Sequence, residues 1–388
     1  MTCGIKSPSM YLQGKGELAN LGRSVKKMGN VFLFLCSPRN KERIGAIVEE
    51  SLQAAGREIV YCEFNGQCCK EEIYRVIDVF KQNHCDGIIG AGGGKAIDTA
   101  KAVAVNLGNC PVVIVPTVAS NDAPCSGVAV IYNQEGVVSK ALMMQRNPDL
   151  VVVDTGIIAK SPRRLLVAGM GDALSTWFEA RACKRSGAKT LARGTCSNTA
   201  YRMSKLCYDI LLRDGVAALD ALKNQEVNEA LDNVVEACIY LSGIGFESGG
   251  LAAAHAVNDG FAYVPQAQGM YHGEKVAFGT IVQLLLEEAP LAEIREVLVF
   301  MESVGLPTTL AKLGIVDVKE EELRKVAEAA CVPTQSTKNV RAHITADEVY
   351  TAIMMADEVG RQTNWPFILR DDWLVNRYAQ DSKQKVSY

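Results

Sequence analysis

The chain has 388 residues, 48% of them hydrophobic and 22% charged, with a net charge of −3. That length holds two or three domains, and the composition is that of a globular protein with no nucleic-acid surface. Its apolar runs are too short to span a bilayer, "MTCGIKSPSM" lacks the hydrophobic segment of a signal peptide, and its 13 cysteines contain no Cys-x-x-Cys pair, so a cytoplasmic protein with reduced thiols and no membrane partner is expected.

The first part alternates strands and helices. "NVFLFLC" (30–36) is a continuous apolar run suited to a buried parallel strand. "RIGAIVEESLQAA" (43–55) reads as a helix and "EIVYCEF" (58–64) as a strand. "KEEIYRVIDVFKQN" (70–83) is an amphipathic helix, followed by the strand "DGIIGA" (86–91), a glycine turn and a helix from Lys95 to Val105. "PVVIVP" (111–116) is another strand, a β-hairpin is expected around Asn133–Gly136, and "DLVVVD" (149–154) is one more buried strand. Repeated βα units predict a doubly wound parallel sheet over residues 1–160. From Ser161 the character changes. Ser161 and Pro162 read as an N-cap and a first-turn proline. Helical segments follow at 195–213, 226–244 and 320–329, with no convincing strand, and the tail after Asp371 is polar. The expected fold class is α/β followed by all-α, divided at residues 1–160 and 161–388, with chemistry in the cleft between the halves.

"GAGGGKAID" (90–98) lies between a strand and a helix. Its spacing fits neither the Gly-x-G-x-x-Gly dinucleotide fingerprint, because Lys95 stands at the last glycine, nor a P-loop, because Ile89 and Ala96 break that pattern. Backbone N–H groups at the start of a helix still favour an anion there. The turn is therefore either a phosphate cradle or a tight strand-to-helix connection.

Three polar residues stand out in the helical part, two of them among small residues; by spacing alone the set is not specific, and His255 also reads as a core histidine and His272 as an ordinary helix start. Asp172 follows Gly169-Met170-Gly171, which reads as a kink with Asp172 either an N-cap or a buried carboxylate on a metal. His255 sits in "GGLAAAHAV", and His272 at a loop-to-helix boundary in "MYHGEKV". The other two of the 4 histidines, His84 and His343, lie in polar stretches. Two imidazoles and one carboxylate suit Zn²⁺ or Fe²⁺ with an open position.

Taken together, "GAGGGKAIDTAKA", "PTVASNDAPCSGVAVIY", "AGMGDALSTWFEARAC", "GFESGGLAAAHAV" and "YHGEKVAFG" resemble the glycerol dehydrogenase family of the iron-containing (group III) alcohol dehydrogenase superfamily. The resemblance covers nearly the whole chain. It implies a dehydroquinate synthase-like fold, a dinucleotide-binding part at 1–160 and a metal and catalytic part at 161–388. It implies that Gly92, Gly93, Gly94, Lys95 and Asp98 hold the pyrophosphate of a nicotinamide dinucleotide, with further cofactor roles for Thr117, Ser120, Ser126, Val128 and Tyr132. It also implies Asp172, His255 and His272 as zinc ligands, Asp122 on substrate hydroxyls, His255 near the substrate, and a homo-oligomer, an octamer in the family's pattern. The activity implied is oxidation of glycerol and related vicinal diols to dihydroxyacetone-type ketones with hydride transfer to NAD.

One position departs from the family. Ser37 stands where an acidic residue commonly binds the adenosine ribose, and Arg39 and Lys41 are nearby. An acid repels a 2′-phosphate, whereas Ser with Arg accommodates one, so NADP is the alternative cofactor. The alternative activity is an NADPH-dependent reductase of 2-oxo acids on the same scaffold. A lyase of the dehydroquinate synthase type would need a dense cluster of Lys, Arg and His, which the histidine-poor helical part does not offer. A nucleotide-binding protein without catalysis is disfavoured by the presence of all three candidate ligands.

Overall fold

A computed structural model describes residues 2–133 and 138–362. The tip of the expected hairpin and the tail after Asp371 lie outside the described residues. Among the described residues ten strands occur in chain order: β1 (Cys3–Gly4), β2 (Tyr11–Gly14), β3 (Val31–Cys36), β4 (Glu58–Glu63), β5 (Gly87–Gly92), β6 (Val112–Pro116), β7 (Val128–Tyr132), β8 (Val138–Met143), β9 (Leu150–Asp154) and β10 (Thr195–Cys196). Six form a parallel sheet in the order β2-β9-β6-β5-β3-β4. β7 and β8 pair antiparallel, as the hairpin pattern predicts.

The central strands are buried along their whole length because helices cover both faces, which explains their unbroken apolar character. Phe32, Phe34, Ile89, Ala91, Val113 and Val115 point to one face, where Ile44, Val48 and Leu52 of the helix Pro38–Ala54 pack on them. On the other face the helix Gly94–Asn106 lies so close that a Cβ on Gly90 would stand 2.4 Å from Ala100 Cβ. The sequence pass missed β2, a four-residue edge strand without an apolar run, held by register with β9 (Tyr11↔Val151 to Gly14↔Asp154).

The chain forms two compact units. One runs to Leu251 and includes Tyr271–Glu274, and the other comprises Ala252–Met270 and the chain from Lys275. Residue 160 marks the change from mixed to helical structure, while compactness divides the chain elsewhere. The helices between residues 163 and 249 share the first unit with the sheet: Gln13 Nε2 of β2 donates to the Asp232 carbonyl at 2.8 Å, and the Tyr11 and Tyr240 rings lie 4.7 Å apart. The segment expected to lack strands contains β10, two residues paired with β1. In the second unit, helices Ala253–Gly260, Leu291–Val304, Glu320–Ala330 and Ala346–Gly360 form the bulk, the last opened by a capping box of Thr345 and Glu348.

Candidate metal and cofactor site

The strand order reverses beside β3: the chain passes from β3 outward to β4, then returns to β5 on β3's other side. Ligands of open parallel sheets bind beyond the carboxyl ends of the strands at such a switch point. Ser37 directly follows β3, and Gly93 and Gly94 directly follow β5 there, with Cys36 and Ala91 in register. Gly92 has φ +153°, a conformation that favours glycine, and its carbonyl accepts the Thr117 N–H at 3.1 Å. Gly93 is the N-cap of the thirteen-residue helix Gly94–Asn106, and no side chain caps that helix. A Cβ on Gly94 would come within 3.0 Å of the Asn121 amide. An uncapped helix start with bare backbone fits a phosphate group.

Around this turn the remaining expected cofactor residues divide into two sets. Lys95 is exposed, with its Nζ 5.3 Å from the centre of the Tyr132 ring. Thr117 Oγ1 accepts from Asn40 Nδ2 at 3.4 Å, and Ser120 is half-buried next to the turn at Asp122. Asp98, Ser126 and Val128 instead face a buried ammonium. Lys101 Nζ donates to Asp98 Oδ1 at 3.3 Å, Ser126 Oγ at 3.3 Å, the Val128 carbonyl at 2.8 Å and the Ala123 carbonyl. Asp98 Oδ2 also accepts from Val130 N at 3.0 Å. Burial pushes the Asp98 carboxyl upward against the lowering pull of Lys101 and the Val130 amide. A lysine with no exposed surface needs this full set of acceptors. The cluster pins the strand β7 and the turn 123–126 to the helix behind the glycines. Ser37 serves locally as N-cap of the helix Pro38–Ala54, accepting from Asn40 N at 3.3 Å. Lys41 stacks on Tyr61 with its Nζ 3.8 Å from the ring centre, while Arg39 is exposed.

Asp172 lies in the middle of a continuous helix, Arg163–Ser186, with Pro162 rather than Ser161 as its N-cap. Neither the kink nor the capping role is present, because Gly169 serves close packing instead. A Cβ on Gly169 would stand 2.0 Å from the Ala119 carbonyl oxygen, so glycine lets the loop 117–122 lie directly on the helix. A second glycine does the same on the opposite approach. A Cβ on Gly273 would stand 1.8 Å from the Ala168 carbonyl oxygen and 2.8 Å from Asp172 N. That contact sets the start of the helix His272–Leu286 against Asp172, and His272 Nε2 lies 3.4 Å from Asp172 Oδ1. The same helix start is clamped by Glu274, which accepts from Arg164 Nε at 2.6 Å, from Arg164 Nη2 at 2.8 Å and from the Tyr271 N–H at 2.7 Å. His255 stands in the first turn of the helix Ala253–Gly260, whose N-cap, Ala252, has no capping side chain. Gln283 Oε1 accepts from Ala254 N at 3.1 Å in its place.

Asp172, His255 and His272 each offer one ligand atom, and the three atoms lie within 4.8 Å of one another. Asp172 is buried, His255 half-buried and His272 exposed. Two imidazoles and one buried carboxylate fit a divalent cation such as Zn²⁺ or Fe²⁺. Asp122 adjoins this trio, since its backbone N–H donates to Asp172 Oδ2 at 3.2 Å.

A model of the family described as iron-containing alcohol dehydrogenase matches residues 8–155. A glycerol dehydrogenase of Escherichia coli O6:H1 is 46% identical over 358 residues, covering 92% of this chain and 97% of that protein. The crystal structure of glycerol dehydrogenase from Schizosaccharomyces pombe superposes with a TM-score of 0.89 at 35% identity, covering 93% of this chain and 91% of that one. That of a probable glycerol dehydrogenase from Sinorhizobium meliloti gives 0.87 at 40% identity, covering 93% and 99%.

The chain belongs to the iron-containing alcohol dehydrogenase family. Membership in the iron-containing alcohol dehydrogenases makes it an oxidoreductase that works with a nicotinamide cofactor and a divalent metal. No helix among the described residues is long and apolar enough to cross a membrane. Sequence reasoning missed Lys101, Arg164, Glu274 and Gln283, which act through contacts made far along the chain. Lys101 alone carried a signal, as a lysine amid the apolar run Ala100–Val105.

Proposed function

We propose that the protein oxidises glycerol and related vicinal diols at the secondary carbon, giving dihydroxyacetone from glycerol, with NAD as hydride acceptor. The observation that carries this reading is the convergence of Asp172, His255 and His272 in a chain 46% identical to a glycerol dehydrogenase over 92% of its length. Asp172, His255 and His272 would hold zinc, which when bound supplies Lewis acidity that eases loss of the substrate hydroxyl proton. Asp122, one hydrogen bond from Asp172, would grip a neighbouring substrate hydroxyl and fix which carbon reacts. His255 would also border the substrate. Gly92, Gly93 and Gly94 would receive the cofactor pyrophosphate on bare backbone N–H groups, with Lys95 supplying positive charge and Thr117, Ser120 and Tyr132 lining the turn. Asp98, Ser126 and Val128 would shape that turn through Lys101.

NAD is favoured by the closeness of the resemblance and by Ser37 being engaged as a helix cap. The resemblance also supports a homo-oligomer, an octamer in the family's pattern, and a cytoplasmic setting suits 13 cysteines that are all free thiols. Initial rates on glycerol, propane-1,2-diol and pyruvate with each cofactor test the reading. It expects diol oxidation with NAD to dominate, and dominant NADPH-dependent reduction of pyruvate would replace it with a 2-oxo acid reductase.

A further inference from the structure

Asp122 sits at the start of a three-residue 3-10 turn, with residues 117–121 outside any regular element, so its own backbone does little to aim its carboxylate. The aim comes from elsewhere. Ser242 Oγ donates to Asp122 Oδ2 at 3.1 Å, and Thr176 Oγ1 lies 2.9 Å from Ser242 Oγ. Ser242 has one proton and gives it to the carboxylate, so Thr176 must donate to Ser242, and the chain of hydroxyls is polarised in one direction. Both hydroxyl residues are buried, which holds the relay out of reach of competing water.

The local backbone is built to place Ser242. It begins a single α-turn, Ser242–Ile244, between two π-helical segments, Ala237–Leu241 and Gly245–Gly249. Such π segments are rare and concentrate at functional sites. Two glycines that follow Ser242 permit the approach. A Cβ on Gly243 would stand 2.9 Å from Cys125 Cβ and 3.2 Å from the Asp122 carbonyl oxygen, and one on Gly245 would stand 2.2 Å from Thr176 Cγ2.

We propose that Ser242, backed by Thr176, is a positioning residue that fixes the Asp122 carboxylate for the hydroxyl next to the reacting one, and so sets selectivity for vicinal diols over simple secondary alcohols. The inference rests on the substrate role given to Asp122 above. Its test compares wild type with S242A, T176V, T176S and D122A. For each, kcat/KM is measured for glycerol and for propan-2-ol, glycerol Kd is read from fluorescence of the enzyme–NADH complex, and bound metal by elemental analysis. The glycerol to propan-2-ol ratio should fall about tenfold in S242A and about threefold in T176V. Glycerol Kd should rise in step, metal content should match wild type, and T176S should restore the ratio. An unchanged ratio in S242A and T176V with a fall in D122A overturns the relay alone. An unchanged ratio in all three removes the substrate role of Asp122 and the relay with it. If S242A loses metal, the T176V and T176S pair decides the question by the same ratio.

Discussion

At the turn after β5, where the proposed function seats the cofactor on backbone N–H groups, glycine at Gly93 keeps space open: the nearest atom a Cβ there would meet is Val118 Cγ2, at 3.6 Å. Around Asp172, where side chains would hold the metal, glycine at Gly169 and Gly273 closes space, letting backbone meet backbone. The same residue type thus serves binding in one place and packing in the other. One substitution, glycine to alanine, should disturb fold and ligand together at Gly273 and the ligand alone at Gly93.

The largest effect is expected for G273A. Its methyl group would stand 1.8 Å from a carbonyl oxygen that cannot rotate away, so the start of the helix at His272 must shift. Metal affinity should fall by at least about a hundredfold in chelator competition, with a lowered Tm, because a metal ligand is displaced. G93A should leave Tm within a few degrees of wild type yet raise the NAD Kd about tenfold, because its methyl group enters the space of the phosphate rather than the core. A stable, metal-replete G273A, or a G93A that binds NAD normally, would break the comparison.

Smaller effects sharpen it. R164A removes the two-pronged contact to Glu274 and frees the helix start beside His272, so metal affinity should fall about tenfold with little change in Tm. S37D restores the acid common in the family and should depress NADP use several-fold relative to NAD, read as a ratio of kcat/KM values. The strand-and-helix part that carries the glycine turn should also respond to pH. Burial pushes the thiols of Cys36, Cys68 and Cys110 up to about 12 from an ordinary value of 9.0. Their folded values are raised, so the native state holds these protons more tightly than the unfolded chain. That stability is fully present below pH 9 and lost progressively as pH rises toward 12. Urea midpoints at pH 8, 9.5 and 10.5 should fall in that order, and C36A should flatten the decline.

The sheet was legible because strands buried on both faces must be continuously apolar, as "VFLFLC" and "DLVVVD" are. β2 was not, since "YLQG" draws its place from register with β9 rather than from its own pattern. Asp172, His255 and His272 stood out in the sequence as candidates, though a set spread from residue 172 to 272 is not specific by spacing; the structure brings one ligand atom of each within 4.8 Å of the others, and sequence could not show that Gly169 packs a loop instead of bending the helix. Nor could it show that Asp98, Ser126 and Val128 turn toward Lys101, because that cluster is assembled by tertiary contacts across β7 and the turn at 123–126. The π segment Ala237–Leu241 falls inside the helix expected at 226–244 and the second, Gly245–Gly249, just beyond it; an apolar pattern does not distinguish π from α turns, so neither was legible.

The most direct test is the rate of NAD-dependent glycerol oxidation measured alongside bound metal, before chelation, after chelation and after zinc is returned. Activity and metal should disappear together and return together. Full activity in metal-free protein, or no activity in protein that keeps its metal, would contradict the account.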